Sequence, residues 1–95
     1  MLNIIVTYSL ITPSTGEAFV KEIEDSGAAE AVRAEDGCHQ YEYFYPADDN
    51  GRVVLLEQWD SEEKQAVHMT QPHMATVKAI KEKYCADTQV KFLNE

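Results

Sequence analysis

Basic residues are scarce in this 95-residue chain, with 8 Lys and Arg against 17 Asp and Glu and a formal charge of −9. A field of that sign repels phosphate backbones and anionic headgroups, so no nucleic acid and no membrane surface is expected as a partner. Long apolar runs are missing as well. Ile4-Ile5-Val6 and Val53-Val54-Leu55-Leu56 fall far short of the roughly 18 residues that a bilayer span demands. Neither a basic n-region nor a small-residue cleavage site marks the first residues, which makes a cytoplasmic location the expectation. The two cysteines, Cys38 and Cys85, form no C-x-x-C pair, so a zinc ribbon or a thioredoxin-like redox motif is excluded. Both read as small buried hydrophobes. G-x-G-x-x-G, the P-loop lysine motif, H-E-x-x-H and G-x-S-x-G are all absent, which removes local support for nucleotide, zinc-protease and serine-hydrolase chemistry.

What is present reads as one globular domain over 1–95. Apolar residues make up 44% and charged ones 26%, the balance of a folding chain rather than a disordered one. Leu2 to Ile11 is rich in Ile, Val, Thr and Tyr and reads as a strand. Pro13 breaks it, and Ser14 with Glu17 has capping-box spacing for a helix that continues to about Ala34, with a bend at Ser26-Gly27. Gly37 stops that helix. Cys38 to Tyr45 is a second strand, and Pro46 to Gly51 is a turn in which Asn50-Gly51 can take positive φ. Arg52 to Asp60 then returns antiparallel. Asp60 or Ser61 caps a short helix, Thr70-Gln71-Pro72 interrupts it, and Pro72 restarts a segment with Met74, Val77, Ile80 and Tyr84 on one side. Thr88 to Phe92 alternates as a fourth strand, with Lys91 blunting an exposed edge.

Strand, helix, strand, strand, helix, strand is the ferredoxin-like split βαβ pattern (βαββαβ), an α+β fold with an antiparallel four-stranded sheet and its first and third strands at the centre. Right-handed crossovers put the helices on one face and leave the other bare. The third strand is nevertheless apolar on both faces, and Leu55 and Trp59 on the bare side would expose more apolar surface than a soluble monomer tolerates. A homodimer stacked sheet to sheet is the expected lid.

Glu57 and Trp59, two apart on a strand, point to one face, and His68 and His73 follow in the adjoining helical region. Glu57 is either a surface carboxylate or a partly buried base with raised pKa. Trp59 is an interface side chain or a cavity wall. His68 is a structural histidine or a proton carrier suited to neutral pH, and His73 caps a helix or joins it. Histidines at 39, 68 and 73 make no metal-ligand pattern, and no metal is expected beyond an adventitious site with Glu42 or Glu57.

Gly37-Cys38-His39-Gln40-Tyr41-Glu42, Leu55-Leu56-Glu57-Gln58-Trp59-Asp60-Ser61-Glu62-Glu63 and His68-x-x-x-Pro72-His73 together resemble the antibiotic biosynthesis monooxygenase family over nearly the whole chain. The resemblance implies a dimeric α+β barrel closing over an apolar cavity. It also implies a reaction that needs neither metal nor flavin, in which a small aromatic, quinol-like substrate anion passes an electron to dioxygen. On that analogy His68 and Glu57 are the catalytic pair, and Trp59, His73, Gln40 and Glu42 contact substrate, the inward face of the second strand being left open. The same motifs resemble a relative that isomerises a small enolisable phosphorylated carbonyl compound, which would call for a cation near the cavity; Arg33, Arg52 and Lys64 cannot be assigned to it from sequence. Haem-degrading relatives use an Asn, a Trp and a His, for which Asn3 is a weak third. A dimer that binds a small ligand without turnover is the reading outside enzymology.

Overall fold

The computed structural model describes residues 1–94, Asn94 by its backbone alone. Its elements run β1 (Leu2–Leu10), α1 (Gly16–Asp25), α2 (Ala28–Arg33), β2 (Cys38–Phe44), β3 (Arg52–Trp59), α3 (Glu62–His68), α4 (His73–Tyr84) and β4 (Cys85–Asn94). All pairings are antiparallel, in the order β2-β3-β1-β4. This is the ferredoxin-like α+β fold expected from the pattern, with β1 and β3 at the centre.

Strand alternation decides what each face carries. Leu2, Ile4, Val6, Tyr8 and Leu10 of β1 and Val53, Leu55, Glu57 and Trp59 of β3 are buried on one face. Phe19 and Ile23 of α1, Ala29 and Val32 of α2 and Ile80 of α4 pack onto that face as one core. Here the expectation for Leu55 and Trp59 is overturned. Both lie under the helices, 1% and 0% exposed. The bare face is carried instead by Val54, Leu56 and Gln58, paired with Thr7, Ile5 and Asn3. The run Val53 to Leu56 is apolar at both parities, so it could not say which of them the helices cover. The requirement for a second subunit to bury Glu57 and Trp59 goes with it: sheet and helices of one chain do so.

Local rules were mostly obeyed, with a few departures. The capping box at Ser14 does not form. Ser14 sits at φ 68° and accepts a hydrogen bond from Asn50 Nδ2 at 2.8 Å, so its hydroxyl ties two loops together, and α1 begins after Thr15 with no side-chain cap. Positive φ is spent at Gly27 and Gly37, not at Asn50-Gly51, because Asp49 closes that turn by accepting from Gly51 N (2.7 Å) and Arg52 Nε (2.6 Å). Gly27, at φ 80°, separates α1 from α2 outright. β4 starts at Cys85, directly out of α4, because pairing with Leu10 across a register shift recruits residues that would otherwise be a loop. Ser61 caps α3 by accepting from Lys64 N at 3.3 Å, and Pro72 starts α4 as expected. The cysteines are free and only half-buried; burial raises both thiols, Cys85 to about 11.

Gly37, at φ 87°, lies against Lys64, whose Cγ would be 2.6 Å from an added Cβ, whereas a Cβ at Gly27 would meet open space. Gly37→Ala is therefore expected to cost about 2 kcal/mol and Gly27→Ala about 1 kcal/mol in chemical denaturation, the difference being steric rather than conformational. Equal losses at both positions would refute the contact.

Candidate active site

A carboxylate that a strand turns inward must find donors or neutralise itself. Glu57, at the middle of the sheet between Ile4 and Tyr41, is 7% exposed. It finds the indole of Trp59 on its own strand, whose Nε1–H donates to Glu57 Oε1 at 3.0 Å. Burial still pushes the Glu57 carboxyl above its ordinary range; the Trp59 bond and the His68 imidazole pull it back in part, and the negative charge of Glu35 adds to the rise.

His68, the last residue of α3, is 1% exposed. Its ring lies 4.6 Å from that of Trp59 at 32°, with the Tyr41 ring edge-on at 6.0 Å. Its Nε2 is 3.9 Å from Glu57 Oε1, and its Nδ1 is 2.9 Å from Glu35 Oε2. His73, the first residue of α4, brings Nε2 within 2.8 Å of the same Glu35 oxygen. A carboxylate only accepts, so both nitrogens facing Glu35 carry hydrogen. A neutral His68 then turns the lone pair of Nε2 toward Glu57. That Glu35–imidazole–Glu57 series can take up a proton at one end and hold the ring's orientation from the other.

The four residues Glu57, Trp59, His68 and His73 thus come together. Gln40 and Glu42 do not join them: they pair with Gln58 and Leu56 on the helix-free face and hydrogen-bond each other at 3.0 Å. Asn3 is on that face too, accepting from Gln58 Nε2 at 2.8 Å, away from Trp59 and His68. His39 pairs with exposed Asp60. Glu35 was missed, although a signal existed. Ala34-Glu35-Asp36-Gly37 puts two acids at the C-terminal end of a helix, where the dipole disfavours them, and such a placement asks for a donor brought from elsewhere.

Glu35, His68 and His73 are also the residues that could hold a metal ion, one ligand atom from each lying within 4.8 Å of the others. Nitrogens and oxygens around a zinc sit about 3.3 Å apart, given bonds of about 2.1 Å. The Glu35 oxygen lies nearer than that to both rings, so the cluster as it stands is a hydrogen-bonded one.

A groove of about 560 Å³ is lined by Glu57 and His68 of this group, while Trp59 and His73, expected to contact substrate, lie behind them and do not line it. Ile4, Val6 and Tyr8 form its floor, Met69 and Met74 its helical wall, and Val90 and Phe92 of β4 its outer side; Lys78 and Lys81 also border it. Val90 and Phe92 are 52% and 56% exposed. An apolar groove with a few convergent polar groups at one end is the ordinary shape of a small-molecule site.

Residues 1–80 match the profile of the family described as antibiotic biosynthesis monooxygenase. Among solved structures, one described as antibiotic biosynthesis monooxygenase superposes with TM-score 0.83 at 20% identity, covering 100% of this chain and 98% of that one. Rv0793 of Mycobacterium tuberculosis gives 0.82 at 24%, over 99% and 93%, and PA3566 of Pseudomonas aeruginosa gives 0.82 at 23%, over 99% and 92%. No curated protein matches by sequence.

Because Glu57 binds its proton more tightly in the folded chain than in the unfolded one, stability falls as pH rises from the ordinary carboxylate range through the raised value. Glu57→Gln keeps an oxygen for the indole. It is expected to melt above the wild type on the alkaline side of the ordinary carboxylate range and to lose that margin toward acid. Thermal denaturation across pH checks it; a margin that grows toward acid contradicts the assignment.

Proposed function

The chain belongs to the antibiotic biosynthesis monooxygenase family, and from that footing we propose that it oxygenates a small, electron-rich aromatic substrate of the quinol type with dioxygen. The observation that carries the reading is the buried pair of Glu57 and His68, 3.9 Å apart at the closed end of an apolar groove. In the keto tautomer of such a substrate, a ring CH₂ made acidic by the carbonyl loses a proton to the pair, which gives a carbanion rich enough to pass one electron to dioxygen. The two radicals combine into a C–O bond, and the proton held by the pair returns to the peroxide. Removal of the second hydrogen from that carbon then breaks the O–O bond. CH₂ and O₂ become C=O and H₂O, and no further electron donor is called for. Tyr41, which lines the groove, and Trp59, packed behind His68, support the dry surroundings such a proton transfer needs.

Oxygen uptake with a reduced naphthoquinol or anthrone panel tests this. The wild type is expected to consume oxygen, and His68→Ala and Glu57→Gln to fall by about 100-fold or more, the usual contribution of positioned proton transfer. No uptake across the panel sinks the reading.

A second reading is favoured by the same 3.9 Å spacing: two groups that exchange a proton can also carry it between neighbouring carbons of an enolisable carbonyl compound. Solvent deuterium entering such a ligand under anaerobic conditions, with no oxygen consumed aerobically, would select the isomerase.

The functional unit in this reading is a homodimer joined through the helix-free faces. Val54, Leu56 and Ile5 are half-buried there, while Phe44 is 40% and Leu93 37% exposed, an apolar strip that a second copy would cover. Sedimentation of the wild type as a dimer, and of Leu56→Glu as the 10.8 kDa monomer, is the expected result; a wild-type monomer at micromolar concentration contradicts it.

A further inference from the structure

Cations are the scarce resource of this molecule, so where the unpaired ones lie is informative. Of its eight Lys and Arg residues, Lys21, Arg33, Arg52, Lys64 and Lys83 each hold a carboxylate. Among the described residues, that leaves Lys78, Lys81 and Lys91 without an acidic partner. Lys91 pairs with Ile5 and belongs to the helix-free face. Lys78 and Lys81 both border the groove, three residues apart on α4 and therefore one above the other. Lys81 also acts on the Cys85 thiol, which burial keeps neutral, so that contact takes up no charge.

The groove has a direction. Glu57 lies beside Ile4 and Phe92 at one end, and Tyr8 pairs with Thr88 at the other. Four strand residues separate those ends, about 13 Å. α4 runs the same way, from His73 beside Glu35 to Tyr84 against Phe19, which in turn contacts Tyr8. From His73 to Lys81 is about 12 Å along the helix. One end of the groove therefore carries the proton-handling pair, and the two unpaired ammonium groups follow along α4, Lys78 about 8 Å and Lys81 about 12 Å from His73, beside an apolar floor.

We propose that the groove takes an amphipathic anion: an aromatic or enolisable body seated on Ile4 and Val6 against Glu57 and His68, with a carboxylate or phosphate group some 10 Å away held by Lys78 and Lys81. In a chain of formal charge −9 a free anion is repelled at long range, so capture depends on this local reversal of sign. The proposal rests on the groove being the substrate site and names the class of compound that enters it. It applies to either reaction, since an aryl carboxylate suits the oxygenase and a phosphate ester the isomerase.

Three probes of one ring system, with the charged group across the rings from the hydroxyl, separate the possibilities: 2-naphthol, 6-hydroxy-2-naphthoate and 6-hydroxy-2-naphthyl phosphate, titrated calorimetrically into the wild type at low ionic strength. At least one anion is expected to bind about tenfold or more tightly than the neutral naphthol, with an advantage that shrinks as salt is added. Which anion gains more tells carboxylate from phosphate. The double variant Lys78→Gln, Lys81→Gln should lose that advantage while binding 2-naphthol as before, and Lys91→Gln should change neither. Both lysines lie outside the core, so folding is not at stake. Equal binding of all three probes, no binding of any, or a preference that survives the double variant overturns the proposal. Oxygen uptake is a separate readout. A protein that prefers the anions but consumes no oxygen with any quinol keeps the proposal and loses the oxygenase, and one that consumes oxygen but binds acid and neutral alike does the reverse.

Discussion

One carboxylate oxygen organises the site. Glu35 Oε2 accepts from His68 and from His73, and that double acceptance sets which nitrogen of His68 carries hydrogen. With Nδ1 so committed, a neutral ring leaves Nε2, 3.9 Å from Glu57, as its acceptor. The arrangement joins elements far apart in sequence: the end of α2, the end of α3 and the start of α4. It also answers the two electrostatic costs in the fold, an acid at the wrong end of a helix and a carboxylate under the sheet, with the same imidazole.

The fold was legible because its signals are local and redundant. Strand propensity, Gly37 as a stop, Pro72 as a helix start and the turn chemistry around Asp49 to Gly51 each point to one element, and the order of elements admits few topologies. What misled was parity. Val53-Val54-Leu55-Leu56 supplies an apolar residue to both faces, and only the contacts that Glu57 and Trp59 make with His68 of α3 tell which face the helices cover. Ser14 failed as a cap for a related reason: its hydroxyl had a partner 36 residues away that capping rules do not see.

Site residues divide the same way. Glu57, Trp59, His68 and His73 lie close in sequence to one another, and spacing alone suggested that they converge. Gln40 and Glu42 belonged to a motif whose strand could face either way, and its register with β3 turns them to the helix-free side. Glu35, Lys78 and Lys81 carry no motif at all. The first is conspicuous only as a badly placed charge, the others only once every other cation but Lys91 has been paired off.

The break between α3 and α4 has a mechanical consequence. His68 and His73 belong to two separate rods that meet at Pro72, and the one oxygen they share works as a clasp across that corner. The orientation of the imidazole is therefore set through the joint between α3 and α4 rather than by either helix alone.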